Sequence, residues 1–411
     1  MLLSFKTRIK LTQEQINLLD TASNEARLLY NKLLEEKISY FKTNNKYLNY
    51  FTQQKELKNI ECKLLTYDAK KEVLRTLEAN FKSYFGLLKK RKELNPNPPR
   101  FRSKKYFFTL SCVQSFIIKD NTVIISLLNK KYLKIELDYF TPIVDLLCKR
   151  NKSQSQIKQL KIFKKDNKFF ASIAYEKQEK VSSSKNYIAI DLGKKNLATV
   201  FDPQNNSGTI FNSKQLSKNQ KHLDKRIDEV KSLRDKKQEN SRRRNKLDYK
   251  LKKLYSKKRT QTNLILHKLS RELAKQDANI IIGELSNLKH NIKEKRNRKL
   301  NRAMQNNWLL ATFIRLLEYK TLLIGNKVIK VNEAWTSKTC CKCGTINHDL
   351  QLSDREYNCE CGNSINRDLN GAINIWKQYL GDYDTPIETE SLSVSEMFAW
   401  GDFKRMNEKS V

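Results

Sequence analysis

Residues 336–376 read TSKTCCKCGTINHDLQLSDREYNCECGNSINRDLNGAINIW, and they join two close cysteine pairs to a helix start that carries an acid. A glycine follows each cysteine pair, which suits the tight turns that point both sulfur atoms of a pair inward. Four thiolates at this spacing predict one tetrahedral Zn²⁺ site of the structural type. The predicted zinc ligands are Cys340, Cys343, Cys359 and Cys361.

The ligand set and the zinc itself both have alternatives. The second pair is C-x-C rather than the commoner C-x-x-C, so Cys341 and His348 are further candidate ligands. A set of ordinary reduced cysteines is a second interpretation, although five cysteines in 22 residues are unusual for it. A disulfide is a third interpretation, and it is the weaker one because the chain shows no secretory signal.

The second half of the stretch predicts a helix with an acid in its first turn. Asp368 follows Asn366, and Ile373 and Trp376 share one apolar face of the predicted helix. Taken alone, Asp368 is explained by its favourable interaction with the positive end of the helix dipole. The other carboxylates of the chain favour a metal-binding role for Asp368.

The charge of the chain predicts a polyanionic partner. The 411 residues include 81 Lys and Arg, and the formal net charge is +37, far more than solubility requires. A lysine-rich surface that reflects compositional bias is the alternative. The length predicts two or three domains, and no run of eighteen apolar residues occurs, so we expect a soluble, intracellular (cytoplasmic) protein without a secretion or transmembrane signal.

The first 180 residues predict a β-domain with a helical insertion. Alternation in residues 1–12 indicates a strand, and Thr12 is the predicted N-cap of the helix that follows. A second helical block covers about 52–93 and ends before a proline-rich break at 95–99. From Arg100 to Tyr175 the apolar period is two, which predicts a small β-barrel or sheet around an insertion at about 13–95.

The remainder predicts a second α/β domain after a linker at 178–186. Strands are expected at Tyr187–Gly193, Leu197–Phe201, Gly208–Phe211, Ala278–Leu285 and Lys327–Val331. A helical hairpin is expected at 213–275 and a helix around Trp308 to Tyr319. The opening run of antiparallel strands, with an acid at the end of the first, is typical of an RNase H-like fold. Residues 381–411 carry seven acids and three bases without a strong pattern, so we expect a mobile tail.

The predicted helical hairpin contains the most basic stretch of the chain. Ser241–Arg259 includes ten Lys and Arg against one acid, Asp248. A solvated helix face is the usual interpretation of such a run, but a charge of one sign favours nucleic-acid contact. The predicted contact residues are Arg242, Arg243 and Arg244.

Three carboxylates stand where the predicted fold can bring them together. Asp191 and Glu284 end two buried strands, and Asp368 begins the helix beyond the last strand. Such a triad suits two Mg²⁺ or Mn²⁺ ions, because hard cations prefer oxygen ligands. Two ions about 3.5–4 Å apart are the arrangement of metal-dependent phosphodiesterases.

Together these motifs resemble the TnpB (OrfB) family over residues 1 to about 377. The resemblance lies in Asp191-Leu192-Gly193, Gly283-Glu284-Leu285, residues 336–340 with the cysteine pairs, and Asn366-Arg367-Asp368. The opening pattern of Glu14-Gln15, Arg27 and Tyr30-Asn31 is also similar.

The resemblance implies an RNA-guided DNA endonuclease that is encoded by a transposon and related to type V CRISPR effectors. It implies a multidomain α/β protein: an N-terminal β-barrel with a helical insertion (1–180), then a RuvC-like domain (187–335 and 364–380) with a zinc-ribbon-like insert (336–363). Asp191, Glu284 and Asp368 would be the catalytic residues. The implied partners are a guide RNA and a double-stranded target beside a short adjacent motif, bound by a monomeric protein.

The sequence departs from the family pattern at three points: the C-x-C pair, Gly371 where alanine is common, and Asn366 where an acid often occurs. None of these removes a carboxylate of the triad. Two other function classes remain open. One is a nuclease-inactive nucleic-acid-binding repressor or accessory factor, and the other is a conventional transposase.

Overall fold

The computed structural model describes residues 1–90, 96–119, 122–129, 131–137, 157–177, 184–193, 195–284, 310–351, 353–382, 385 and 387–398. The chain divides into two compact units, Met1–Gln178 and Glu179–Val411. Several predictions fall partly outside the described residues, among them the end of the helical block at 91–93, part of the β-region at 138–156, most of the linker at 178–186, Leu285, Trp308, and the tail from 399 onward.

The first unit begins with a strand and a long helix, as the sequence predicts, whereas the single helical block predicted at about 52–93 is divided into two helices by residues 57–66. The helix after the first strand begins where expected, because the Thr12 side chain accepts from the Gln15 amide and the Gln15 side chain accepts from the Thr12 amide. The elements are β1 (Leu2–Ile9), α1 (Gln13–Asn44), α2 (Tyr50–Glu56) and α3 (Tyr67–Lys90).

The remaining strands of this unit form two antiparallel sheets over one apolar core. The strands are β2 (Leu110–Cys112), β3 (Phe116–Lys119), β4 (Thr122–Ser126), β5 (Tyr132–Glu136), β6 (Ile157–Lys165) and β7 (Lys168–Glu176). One sheet has the order β1-β7-β6-β2 and the other β3-β4-β5, and a bridge between Ile9 and Leu137 links them. Closure into a barrel stays a prediction, since residues 138–156 are outside the described part.

The second unit is built on a six-stranded sheet. Its strands are β8 (Tyr187–Asp191), β9 (Asn196–Asp202), β10 (Ser207–Asn212), β11 (Asn279–Glu284), β12 (Val328–Asn332) and β15 (Ser393–Phe398). Their order in the sheet is β12-β11-β8-β9-β10-β15. β8, β9 and β10 are successively antiparallel, which confirms the predicted opening, whereas β11 runs parallel to both β8 and β12. A separate hairpin pairs β13 (Glu356–Asn358) with β14 (Ser364–Asn366).

Helices cover both faces of this sheet. The predicted hairpin is present as α4 (Lys214–Asp235) and α5 (Arg242–Lys275), followed by α6 (Leu310–Ile324) and α7 (Arg367–Leu380). Ile190 and Ile282 pack on one face against α5 and α6. Ala189 and Ile281 pack on the other face against Ile375 of α7. Because side chains alternate along a strand, Asp191 lies on the α7 face.

The prediction of a mobile tail at 381–411 does not hold for Ser393–Phe398. These residues form β15, which pairs in parallel with β10 at the edge of the sheet. Its stability comes from backbone pairing with a strand about 180 positions earlier, and no local pattern reports such a partner. Among the described residues, no helix is long and apolar enough to cross a bilayer.

Candidate active site and cysteine cluster

The four predicted zinc ligands lie together in the second unit. Their sulfur atoms are all within 4.8 Å of one another, with Cys340 and Cys361 3.7 Å apart and Cys343 and Cys359 3.5 Å apart. Each pair sits in a tight turn whose glycine has a positive φ, 77° at Gly344 and 81° at Gly362. Glycine suits these two positions, because a residue with a Cβ rarely adopts such φ angles. The turns bring the sulfur atoms together, as the cysteine spacing predicts.

The spacing of the sulfurs fits zinc and not disulfides. Tetrahedral Zn–S bonds of about 2.3 Å place two sulfur ligands roughly 3.8 Å apart, close to the values found here. A disulfide requires about 2.05 Å, and all four cysteines are free. The cluster can therefore hold one structural Zn²⁺.

Cys341 and His348 lie outside the four-sulfur group. Cys341 is fully buried, and burial raises the pKa of its thiol to about 11. Cys343 differs, because its hydrogen bond with Thr345 lowers the pKa of its thiol to about 6. His348 instead contacts the ring of Trp335 edge-on.

Two asparagines of α7 bind the turn that leads into the cysteine cluster. Asn370 accepts from the Cys341 amide over 2.9 Å and donates to the Thr339 carbonyl over 2.7 Å. Asn374 donates to the Thr336 and Thr339 carbonyls over 2.8 and 2.6 Å. Both asparagines are buried. The helix that carries Asp368 is therefore fixed to the cluster that carries the zinc ligands.

The N-terminus of α7 holds Asp368 in a defined position. The Asn366 side chain accepts from the amides of Asp368 and Leu369 over 3.0 and 3.3 Å and so caps the helix. This role explains why an uncharged residue suits position 366. Asn196, the first residue of β9, donates from Nδ2 to Oδ2 of Asp368 over 2.7 Å.

Asp191 ends β8 directly beneath α7. A Cβ added to Gly371 would lie 3.1 Å from Oδ2 of Asp191, so the helix backbone passes close over this carboxylate. Asp368 stands three residues before Gly371, on the same side of the helix. Burial, followed by the negative charges of Asp368 and Glu333, raises the pKa of Asp191 to about 8, while Arg367 opposes the rise.

Glu284 does not join this pair in the structure. Within the described part of the chain, the cysteines are the one group of three or more potential ligands whose atoms all lie within 4.8 Å of one another. The register Ile282–Ile190 places Gly283, rather than Glu284, beside Asp191. Glu284 is exposed at the end of β11, and residues 285–309 after it are outside the described part.

Glu333 is an acidic neighbour of Asp191 that sequence reasoning missed. It follows β12, and a Cβ on Gly283 would lie 2.5 Å from its Oε2 atom, so it occupies the space that the glycine leaves. Burial raises the pKa of Glu333 to about 7. Glu333 directly follows a strand, and Asp191 and Glu284 are the last residues of theirs. This position is the one signal in the sequence that could have identified Glu333.

The three predicted arginines differ in their surroundings. Arg242 and Arg243 are exposed at the start of α5, and the described residues provide no ion pair for either. Arg244 is half-buried, donates to the Lys237 carbonyl over 3.1 Å and pairs with Glu239 over 3.4 Å. Arg242 and Arg243 are therefore free to bind phosphate, whereas Arg244 stabilises the turn between α4 and α5.

Three family models match the chain. OrfB_IS605, described as "Probable transposase", matches residues 170–293, and "Cas12f1-like, TNB domain" matches residues 311–375. A "Helix-turn-helix domain" model of the same family matches residues 1–46, where the structure has β1 and the single helix α1.

Curated relatives carry related names. "TnpB-like protein L79" of Acanthamoeba polyphaga mimivirus is 33% identical over 202 residues, which are 48% of this chain and 38% of that protein. "Putative RNA-guided DNA endonuclease InsQ" of Escherichia coli (strain K12) is 28% identical over 256 residues, 57% of this chain and 60% of that protein. The matched region is thus less than two thirds of the length of either relative.

Solved structures share the fold at low sequence identity. The chain in "Cryo-EM structure of the Cas12f1-sgRNA-target DNA complex" is 18% identical, with a TM-score of 0.61 over 89% of this chain and 83% of that one. "Structure of the mini-RNA-guided endonuclease CRISPR-Cas_phi3" is 10% identical, with a TM-score of 0.54 over 94% and 93%. The fold is therefore Cas12-like, of mixed α/β content with a zinc-ribbon-like cysteine cluster, and the chain is similar to the TnpB (OrfB) family over the segments that the family models and the relatives match.

Proposed function

We propose that this protein is an RNA-guided endonuclease that cuts guide-matched double-stranded DNA in a metal-dependent reaction. The observation that carries the proposal is the placement of Asp191 and Asp368 at one point, where the end of β8 meets the N-terminus of α7. The name of the InsQ relative and the basic charge of the chain support the nucleic-acid partners.

The acidic centre has the donor chemistry of a site for Mg²⁺ or Mn²⁺. Asp191, Asp368 and Glu333 offer carboxylate oxygens, the ligands that these hard cations prefer. Burial and the negative charges of Asp368 and Glu333 oppose the ionisation of Asp191, and a divalent cation would remove that penalty. Two such ions would neutralise the charge that develops on a scissile phosphate.

The residues of this chain hold the carboxylates in place. Asn196 fixes the orientation of Asp368, Gly371 leaves room for Asp191, and Gly283 leaves room for Glu333. Arg367 lies near enough to Asp191 to influence its ionisation, and its Nη1 atom donates to the Gln351 carbonyl over 2.6 Å. We include Glu284 in the proposal through the family resemblance, with its side chain reaching the centre only in the complex with nucleic acid.

The cysteine cluster has a structural part in the same proposal. One Zn²⁺ held by the four cysteines would close the two turns, and Asn370 and Asn374 connect these turns to α7. The cluster would thereby stabilise the position of Asp368. In the first unit, we propose that the β-sheets and helices hold the guide RNA and read the motif adjacent to the target.

The experiment that tests the proposal starts from the protein as purified from cells. RNA that copurifies is sequenced, and a DNA duplex matching its variable end is incubated with the ribonucleoprotein in Mg²⁺ or Mn²⁺. The proposal predicts cleavage of the matched duplex and none without a divalent ion. Binding without cutting would support the repressor class, and joined DNA ends would support a transposase.

A further inference from the structure

Trp335 combines an exposed side chain with a backbone conformation that tryptophan rarely adopts. The indole is 56% exposed, and the φ angle of the residue is 67°. The left-handed region is unfavourable for a bulky residue, because Cβ approaches the following carbonyl oxygen. The turn that imposes it is well bonded: the Trp335 carbonyl accepts from the amides of Lys338 and Thr339 over 2.8 and 3.0 Å.

This combination argues against a role in folding. An exposed indole buries little apolar surface, and its backbone carries a conformational cost that glycine would avoid. Residues held in such conformations concentrate at ligand-binding and catalytic sites. The one ring contact described for Trp335 is edge-on, with the His348 ring at 5.8 Å and 71°.

Trp335 borders the acidic centre. Glu333, two residues before it, lies beside Gly283, and Ser337, two residues after it, has its Oγ 3.5 Å from the Cβ position of Gly371. Asp191 approaches that same Cβ position at 3.1 Å. The segment that carries Trp335 therefore has Glu333 of the acidic centre before the indole and Ser337, near Gly371, after it, while the indole itself is exposed.

Two basic side chains lie in the same region, one in the turn of Trp335 and one near the acidic centre. The Lys338 ammonium donates to the His348 carbonyl over 2.7 Å, beside the ring that contacts Trp335. Arg367 is close enough to Asp191 to affect that carboxylate. An exposed aromatic ring in a region that also carries basic side chains is a combination that binds single-stranded nucleic acid, since bases stack on the ring and phosphates interact with the positive charges.

We propose that Trp335 is a stacking platform for a nucleobase of the single DNA strand whose phosphate enters the Asp191–Asp368 centre. Every base has a π-face, so this contact tolerates any sequence. It holds a separated strand at the centre and disfavours a base-paired one, whose bases are already stacked. The identity of the ligand as the strand to be cut rests on the proposed nuclease function.

The test is photochemical crosslinking within the assembled complex. A matched DNA duplex carries 5-iodouracil at successive positions of the strand to be cut, and an Asp191→Asn ribonucleoprotein retains it uncut. After near-ultraviolet irradiation, the crosslinked peptide is identified by mass spectrometry. The proposal predicts a crosslink to Trp335 from one or two adjacent positions. Crosslinks to other residues alone, or none, overturn it.

Three substitutions complete the test. Trp335→Gly suits the positive φ, so it should leave the melting temperature unchanged or raised, lose the crosslink and increase KM for DNA about fivefold or more. Trp335→Phe should retain most of the binding. Leu380→Ala, which truncates a large apolar side chain that is 42% exposed at the C-terminal end of α7, is the control and should change neither the crosslink nor KM.

The outcomes separate this inference from the proposed function. An unchanged KM in Trp335→Gly overturns the stacking role, and so does a lowered melting temperature, which would make the indole structural. A wild-type protein that crosslinks DNA through Trp335 without ever cutting it would contradict the nuclease proposal and leave the stacking site intact.

Discussion

Asn196 and Asp368 are 172 positions apart in the chain, and the Nδ2 atom of Asn196 donates a 2.7 Å hydrogen bond to Oδ2 of Asp368. The bond joins the start of β9 to the first turn of α7. It occupies one oxygen of the carboxylate and leaves the other lone pairs for a cation. Asn196 therefore acts as a positioning residue for the acidic centre.

Removing this hydrogen bond should weaken the centre without unfolding the protein. We expect Asn196→Ala to lower Mn²⁺ affinity or cleavage about 10- to 100-fold, the usual effect of losing a partner of a ligand. Isothermal titration with Mn²⁺ measures the affinity. Asn205→Ala, which loses a bond to Asp202 on the surface, is the matched control. Equal effects of the two substitutions would show that Asn196 does not position Asp368.

The zinc prediction concerns metal content. Purified protein should contain about one Zn²⁺ per chain, which Mg²⁺ does not displace, because four thiolates are a soft ligand set. Cys359→Ser should lower the zinc content and the melting temperature. Cys341→Ser should retain the zinc, since this buried thiol lies outside the group. Elemental analysis decides between these results, and zinc-free protein that is soluble and active would refute the site.

Arg242 and Arg243 should contribute to nucleic-acid binding more than Arg244. The double substitution Arg242→Gln and Arg243→Gln should reduce the slope of log K against log salt by up to about 0.9 for each duplex phosphate that the variant no longer neutralises. Arg244→Gln should change the slope little, because its guanidinium already pairs with Glu239. Fluorescence anisotropy at several salt concentrations measures the slopes. A larger reduction of the slope in Arg244→Gln than in the double variant would show that Arg244, rather than Arg242 and Arg243, contacts phosphate.

Glu333 should govern how stability depends on pH when Mg²⁺ and Mn²⁺ are withheld. The folded-state pKa values of Asp191, about 8, and Glu333, about 7, lie above their usual values, so ionising them costs stability. The wild-type melting temperature should therefore fall as the pH rises from about 6 to 8.

The variant Glu333→Gln should show a smaller fall, because it removes one ionisation and eases that of Asp191. We expect its melting temperature at pH 8 to exceed that of the wild type by about 2 °C or more. Glu318→Gln, which removes an exposed partner of Lys330, is the control. Differential scanning fluorimetry with zinc retained gives the comparison, and parallel curves for all three proteins would show that ionisation of Glu333 does not cost stability.

Much of the second unit could be predicted because its signals are local. The spacing of the cysteines and the glycines after them determines which sulfurs converge, and the apolar runs before Asp191 and Glu284 indicate buried strands. The position of Asp368 follows from helix capping by Asn366. Each of these features depends on residues close together in the chain.

Glu333 and β15 could not be predicted in the same way, because both depend on pairings between distant segments. Glu333 reaches Gly283 through the parallel register of β11 and β12, and β15 exists through its pairing with β10. Likewise, Glu284 was expected to meet Asp191, yet the register of β8 and β11 places Gly283 there. A shift of the pairing register by one residue moves each side chain to the other face of the sheet, and the sequence alone does not determine the register of these strands.

The central claim is tested most directly by cleavage of a guide-matched DNA duplex by the ribonucleoprotein in Mg²⁺. We predict that wild type cuts, that Asp191→Ala and Asp368→Ala each abolish cutting while still binding guide and target, and that Glu284→Ala does the same if its side chain reaches the centre in the complex. Near-normal cleavage by Asp191→Ala or Asp368→Ala would contradict the account.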